Sequence, residues 1–276
     1  MTTITAAEVN KLRQQTGAGM MDCRKALVES EGDFEKAIDY LRKKGAKVAA
    51  LRSDRDAREG VVIAATAEDG KSGVIITLSC ETDFVAKNAA FIAFAQAVAN
   101  TALTGHFSSL EALNAAPFQG ATVNDKVMEQ VGRIGEKVSI SRLERIQADG
   151  VVSYIHAGNR MAVLVGLNKP LNNGVASAGK DVAMQIAAMN PIAVDQASIP
   201  ESVLNREKEI AIEQVKAEGK PAGIAEKIAM GKLNKFFKDN TLLAQPFVKD
   251  TNQTVADFLH SVDPGLLVTL FKRVSL

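Results

Sequence analysis

The sequence predicts an α+β protein, and three observations carry that reading. From Thr5 to Gly45, apolar residues recur at helical spacing between cap residues. From Gly60 the period changes to that of strands. In the second half of the chain the same order of strands and helices returns, which suggests a duplication.

The first segment divides into three short helices. Thr5 with Glu8 has the spacing of a reciprocal capping box, and Ile4 with Val9 that of the hydrophobic staple around it. Gly17 stops this helix. A second runs from about Asp22 to Ser30, presents Ala26 and Leu27, and ends at Gly32. Asp33 caps a third, with Phe34, Ala37, Ile38 and Leu41 on one face. Arg42, Lys43 and Lys44 suit the negative end of its dipole, and Gly45 has the place of its C′ residue. Residues 1–45 are therefore expected to form a helical bundle. Residues 46–59, rich in Arg and Asp, read as a solvated helical linker.

Val61 to Ala67, the turn "EDGKSG" and Val74 to Cys80 read as a hairpin. Val74, Ile76, Leu78 and Cys80 alternate with Ile75, Thr77 and Ser79, as in a strand with one buried face. "SCETDFVAKN" follows, and then Phe91, Phe94, Ala95, Val98 and Ala102 recur as a helix, with Thr82 or Asp83 as its cap. Phe84 lies seven residues before Phe91. It can share the buried stripe or, at the helix start, point outward, and periodicity leaves both open. A second helix near Thr122, with Val123, Val127, Val131 and Ile134 as its stripe, leads to the strand "EKVSISRLERIQ".

The order then repeats. Val151 to His156 and Met161 to Leu167 make a hairpin, and Val175, Ala178, Val182, Ile186 and Met189 stripe a helix that Pro191 ends. Thr254 to His260 is helical, and "LLVTLFKRVSL" is a closing strand. The core is expected to divide into residues 60–148 and 149–276. The second part carries an insertion at about 201–239, two helical stretches around "EGKP", with Gly219 ending one and Pro221 starting the next. Leu204, Ala211 and Val215, and Ile224, Ile228 and Phe236, form narrow stripes that suit a mostly solvated two-helix hairpin.

The 276 residues give room for two domains. A net charge of +1 argues against a dominant nucleic-acid footprint. Cys23 and Cys80 are far apart and read as free thiols of a reducing compartment. "MTTITAAEVN" lacks the basic and apolar regions of a signal peptide, and no apolar run reaches the ~20 residues that span a bilayer. A cytoplasmic location is expected.

Catalytic constellations are scarce. "TGAG", Thr16 to Gly19, follows a helix and has no Lys-Ser/Thr after it, so it reads as a tight turn and not a phosphate loop. His106, His156 and His260 are dispersed. Met20 and Met21 fall in the turn between the first two helices, where packing and an adaptable contact surface are both open.

Four stretches carry a family resemblance. "TAAEVNKLRQQTGAGMMDCRKAL" and "CETDFVAKN" look like the two signatures of the bacterial elongation factor Ts family, and "YIHAGNRMAVLV" and "QPFVKD" match further segments in order. Arg24, Asn159 and Met161 depart from the usual pattern. The resemblance implies a guanine nucleotide exchange factor, not an enzyme, with no cofactor or metal of its own. Its partner would be elongation factor Tu, in the GDP and nucleotide-free forms, with no direct nucleic acid or membrane contact. It further implies an N-terminal bundle like the ubiquitin-associated fold and an insertion forming the family's coiled coil. Thr82, Asp83, Phe84 and Val85 would dislodge the partner's magnesium. Arg13, Met20, Met21 and Arg24 in the bundle, Ile134 and Gly135 in the first half, and His156, Phe247 and Val248 in the second would bind the partner. An adaptor like a ubiquitin-associated domain, without exchange activity, is the rival reading; it would leave the core unemployed.

Overall fold

The computed structural model describes residues 4–217 and 222–276. Three helices open the chain: α1 (Ala6–Thr16), α2 (Met20–Glu29) and α3 (Phe34–Leu51). The capping box at Thr5 and Glu8 is formed in both directions, Gly17 ends α1 in the left-handed region (φ 67°), and Asp33 caps α3. Leu12, Cys23, Ala26, Leu27 and Ala37 close a small core among them. Met20 and Met21 are the first residues of α2, not part of the turn before it.

α3 does not stop at Gly45. It continues to Leu51, and Val48 and Ala49 pack against the core of the following unit. The stretch expected to be a solvated linker is thus partly helical and partly packed. A glycine inside a helix costs about 1 kcal/mol against alanine. Here it lets α3 lie directly on the later helix Val123–Ile134, an approach that a side chain at Gly45 would block.

Two three-stranded antiparallel sheets follow. The first has the order β1 (Glu59–Thr66), β2 (Ser72–Cys80), β5 (Ser139–Gln147). Between β2 and β5 run α4 (Asp83–Ala86), α5 (Ala89–Thr104), α6 (Leu110–Ala115), the short β3 (Pro117–Phe118) and β4 (Ala121–Thr122), and α7 (Val123–Ile134). The second sheet joins β6 (Gly150–Ile155), β7 (Met161–Leu167) and β10 (Val268–Ser275), with β7 in the middle. In each sheet the first two strands form a hairpin and the last strand pairs with the second. α8 (Asn173–Met189) packs on the second sheet, and the chain returns through β8 (Pro246–Phe247), β9 (Asp250–Thr254) and α11 (Val255–Val262). One device recurs in both halves. A Pro-Phe strand precedes a threonine that makes a capping box with an aspartate three residues on, Thr122 with Asp125 and Thr254 with Asp257.

β2 is buried along its whole length, so the expectation of one buried face is corrected. Val74, Ile76, Leu78 and Cys80 face the cluster that contains Phe91, Phe94 and Val98 of α5. Ile75, with Val62, Ala64 and Ile146, packs on Val151, Ala162, Leu164 and Val274 of the second sheet. The sheets therefore bury a face against each other, and the outer faces are covered by helices.

The insertion comprises α9 (Glu201–Ala217) and α10 (Ala222–Asn240), which pack on each other. Ala211, Val215, Ala229, Leu233 and Phe237 are buried, and Leu233 and Phe237 meet Ala193 and Ile199 at the base. The expected Gly219 stop and Pro221 start, and the side chain of Ile224, lie outside the described residues. Among the described residues no helix is long and apolar enough to cross a membrane.

Candidate functional site

β2 ends at Cys80, and the next residues do not enter one long helix. α4 is a single turn, Asp83–Ala86, and the chain breaks at Lys87. Asn88 then starts α5 afresh, its side chain accepting hydrogen bonds from the N–H groups of Ala90 (2.9 Å) and Phe91 (3.4 Å). This break decides the orientation of Phe84. Phe91 belongs to α5 and is buried, whereas Phe84 belongs to the isolated turn and is 83% exposed. It borders a cleft of about 440 Å³ that is also lined by Thr82, Val85, Arg133, Ile134 and Glu136. The cleft brings Ile134, at the end of α7, to the same place as the Thr82–Val85 turn. Gly135 follows Ile134 in the left-handed region (φ 78°) and reverses the chain there.

Thr82 occupies the N-cap position of α4, but its hydroxyl does not cap the helix. It donates to Glu136 Oε1 (2.7 Å) instead. Glu136 Oε2 accepts from the backbone N–H groups of Glu81 (3.1 Å) and Thr82 (3.0 Å). Glu81 in turn accepts from the N–H of Lys137 (2.6 Å) and from Arg52 Nη1 (2.7 and 2.9 Å). The Lys137 N–H, followed by Arg52, holds the Glu81 carboxyl below its ordinary pKa.

Asp83, the first residue of α4, receives a hydrogen bond from Lys87 Nζ at 2.6 Å, one turn on. That bond holds its carboxyl below the usual range, so it is ionised at neutral pH. Arg160 pairs with Glu59, which lies opposite Cys80 in the first sheet. The tip between β6 and β7, which carries His156 and Arg160, is thereby tied to the end of β2 from which the Asp83 turn leaves.

His156 is exposed, and Tyr154 Oη lies 2.9 Å from its Nδ1. Arg13, Met20, Met21 and Arg24 are all exposed on the N-terminal helices; Met20 and Met21 are 57% and 72% exposed. The expectation for Phe247 needs correction. Its ring is buried and stacked on Phe258 (centroids 4.2 Å apart), because the Pro246–Phe247 strand turns it under α11. Val248 beside it is exposed. Sequence reasoning missed Arg52, Glu81, Glu136 and Arg160. Glu81 and Arg160 lay inside motifs already in hand, as the acid of "CETDF" and the base of "HAGNR". Arg52 and Glu136 carried no local signal.

The family described as Elongation factor TS matches residues 81–276. Relatives named Elongation factor Ts cover the chain almost end to end. The one from Christiangramia forsetii is 53% identical over 276 residues, all of both chains. That from Flavobacterium psychrophilum is 51% identical over the same span, and that from Amoebophilus asiaticus 52% over 98% of each chain. A match of this identity and extent includes the N-terminal helices, both sheets and the exposed Asp83–Phe84 turn, and this chain belongs to the elongation factor Ts family.

Proposed function

We propose that the chain is the guanine nucleotide exchange factor of elongation factor Tu, which it binds in the GDP form and holds in the nucleotide-free form during protein synthesis. The observation that carries this reading is Phe84, an aromatic ring left in solvent on a pinned turn beside the ionised Asp83, in a chain of this family.

GDP in such GTPases is held by backbone N–H groups, a lysine and a magnesium ion bridging phosphate oxygens. Release is accelerated by weakening that site, and each ~1.4 kcal/mol removed from the barrier is worth tenfold in rate. Phe84 acts as the wedge that enters between packed elements of the partner. Asp83 brings a negative charge that competes for the magnesium and its waters, with Thr82 and Val85 shaping the turn. Ile134 and Gly135 line the approach. Arg13, Met20, Met21 and Arg24 anchor the N-terminal helices on the partner, and His156 and Val248 make the contacts of the second half. The protein consumes nothing and needs no cofactor of its own. It works in the cytoplasm, where its partner is. The core serves as two similar halves, residues 60–148 and 149–276, and the shared strand order of the two sheets supports this. By linkage, if the factor weakens GDP binding, GDP weakens factor binding by the same ratio, so incoming nucleotide ejects the factor.

The test is stopped-flow release of a fluorescent GDP analogue from elongation factor Tu. Faster release with increasing protein is expected. Traces unchanged by saturating protein would overturn the reading.

A further inference from the structure

We propose that Glu136 is the positioning residue of the exchange turn: it locks Glu81 and Thr82 so that Phe84 is presented to the partner in a fixed orientation. The inference rests on the exchange reading above and adds to it a residue that lies outside the "CETDF" motif.

α4 has four residues, too few to sustain a helix by its own hydrogen bonds. Its N-cap threonine gives it no side-chain cap. Ala86 packs into the first core and Lys87 bonds Asp83 on the exposed side, but neither holds the start of the turn, at Glu81 and Thr82, which must be ordered from outside it. Glu136 supplies three bonds at once, two from backbone N–H groups to Oε2 and one from the Thr82 hydroxyl to Oε1. Hydrogen bonds to a carboxylate are shorter and stronger than those between neutral groups. The clasp is reciprocal, since Glu81 takes the N–H of Lys137, the residue after Glu136. Both sides of the clasp are tied to firm elements. Glu136 leaves α7, whose Val123, Val127 and Val131 are buried in the first core, and Glu81 is held by Arg52 at the end of α3.

A ring that is mostly in solvent has little else to fix it. Holding its backbone before the partner arrives removes an ordering cost from the step in which the nucleotide site is opened. The N-terminal helices and the second half, which dock elsewhere, do not depend on that clasp. Loss of Glu136 should therefore slow the opening step far more than it weakens docking.

The experiment measures, for the full chain, the GDP release rate at saturating factor and the affinity for nucleotide-free elongation factor Tu. Glu136→Ala is expected to lower the saturating rate about tenfold or more while changing affinity less than about threefold. Glu136→Gln keeps an oxygen for the two N–H groups and an amide for the hydroxyl, and is expected to return to within about threefold of the parent rate. A parent-like rate in Glu136→Ala, equal falls in rate and affinity, or a Gln variant as slow as the Ala variant would each overturn the proposal. If Glu136→Ala does not fold, Glu136→Asp carries the test. Its carboxylate is one methylene shorter and draws back from the N–H groups of Glu81 and Thr82, so a slower saturating rate at parent affinity supports the clasp and an unchanged rate overturns it. Absence of release with the parent chain would overturn the exchange reading itself, and the positioning role with it.

Discussion

Gly45 of α3 and Gly132 of α7 meet backbone to backbone: a Cβ placed on Gly132 would lie 3.0 Å from the Cα of Gly45. A Cβ on Gly45 would come within 2.7 Å of the carbonyl oxygen of Met128. The atom it meets is backbone, so one of the two helices must shift. Gly45→Val is expected to lower stability by about 1–3 kcal/mol, the usual cost of overpacking, despite a small gain in helix propensity. Urea denaturation checks this, and a variant as stable as the parent would show that the helices separate easily. A chain truncated at Gly45 cuts α3 in the middle and uncovers α7. It is expected to melt below the parent, contrary to what a bundle on a free linker would do.

Phe84→Ala separates a wedge from a core residue. Removal of a buried phenylalanine costs about 3–5 kcal/mol. At 83% exposure, the substitution is expected to change folding stability by no more than about 0.5 kcal/mol while slowing GDP release markedly. Denaturation and exchange kinetics on the same preparation decide it. A destabilised variant that exchanges normally per folded molecule would refute the wedge.

Glu81 makes part of the stability pH-dependent. Its folded pKa lies below the ordinary 4.5, through the Lys137 N–H and Arg52. The folded state thus binds the proton less readily than the unfolded chain does. The contribution is fully present above about pH 4.5 and is lost as pH falls through the folded value. Glu81→Gln lacks the charge at every pH. Parent and variant are expected to differ most near neutrality and to converge on acidification. A difference that stays constant from pH 7 to pH 3 would count against this role of the carboxylate.

What could be read in the sequence was local. The box at Thr5 and Glu8 spans one turn of chain, and the hairpins of β1 with β2 and β6 with β7 join neighbours, so cap residues and alternation revealed them. The Asp83–Phe84 site was visible as a motif, but the direction of Phe84 was not. The apolar spacing runs on through Lys87 although the helix does not, because Asn88 begins a new one. Contacts between distant segments left no trace. Glu136 reaches Thr82 from 54 residues away. Gly45 looked like a helix stop because its partner Gly132 lies far along the chain. Thr77 and Ser79 made one face of β2 look polar, yet both are buried, and Ser79 shares a hydrogen bond of 2.7 Å with the exposed Ser141 of β5. Phe247 was expected at the interface by resemblance alone, and nothing beside it in the chain marks its stacking on Phe258.

His156 gives the last prediction. It stands at the end of β6, exposed, with Tyr154 Oη 2.9 Å from Nδ1. The tyrosine fixes the ring and leaves Nε2 directed away from that bond, free to meet a partner group. Truncating an aromatic or imidazole contact at an interface typically costs about 1–2 kcal/mol when it is used. His156→Ala is therefore expected to weaken the complex with elongation factor Tu by roughly five- to thirtyfold in calorimetry. Tyr154→Phe keeps the ring packed against its neighbours and removes only the hydroxyl, so a smaller loss is expected. Neither substitution should alter folding strongly: His156 is exposed, and Tyr154→Phe leaves the ring packed against the second core. Unchanged affinity in His156→Ala would return the residue to a purely local role at the hairpin tip. A loss in Tyr154→Phe with none in His156→Ala would move the contact to the tyrosine itself.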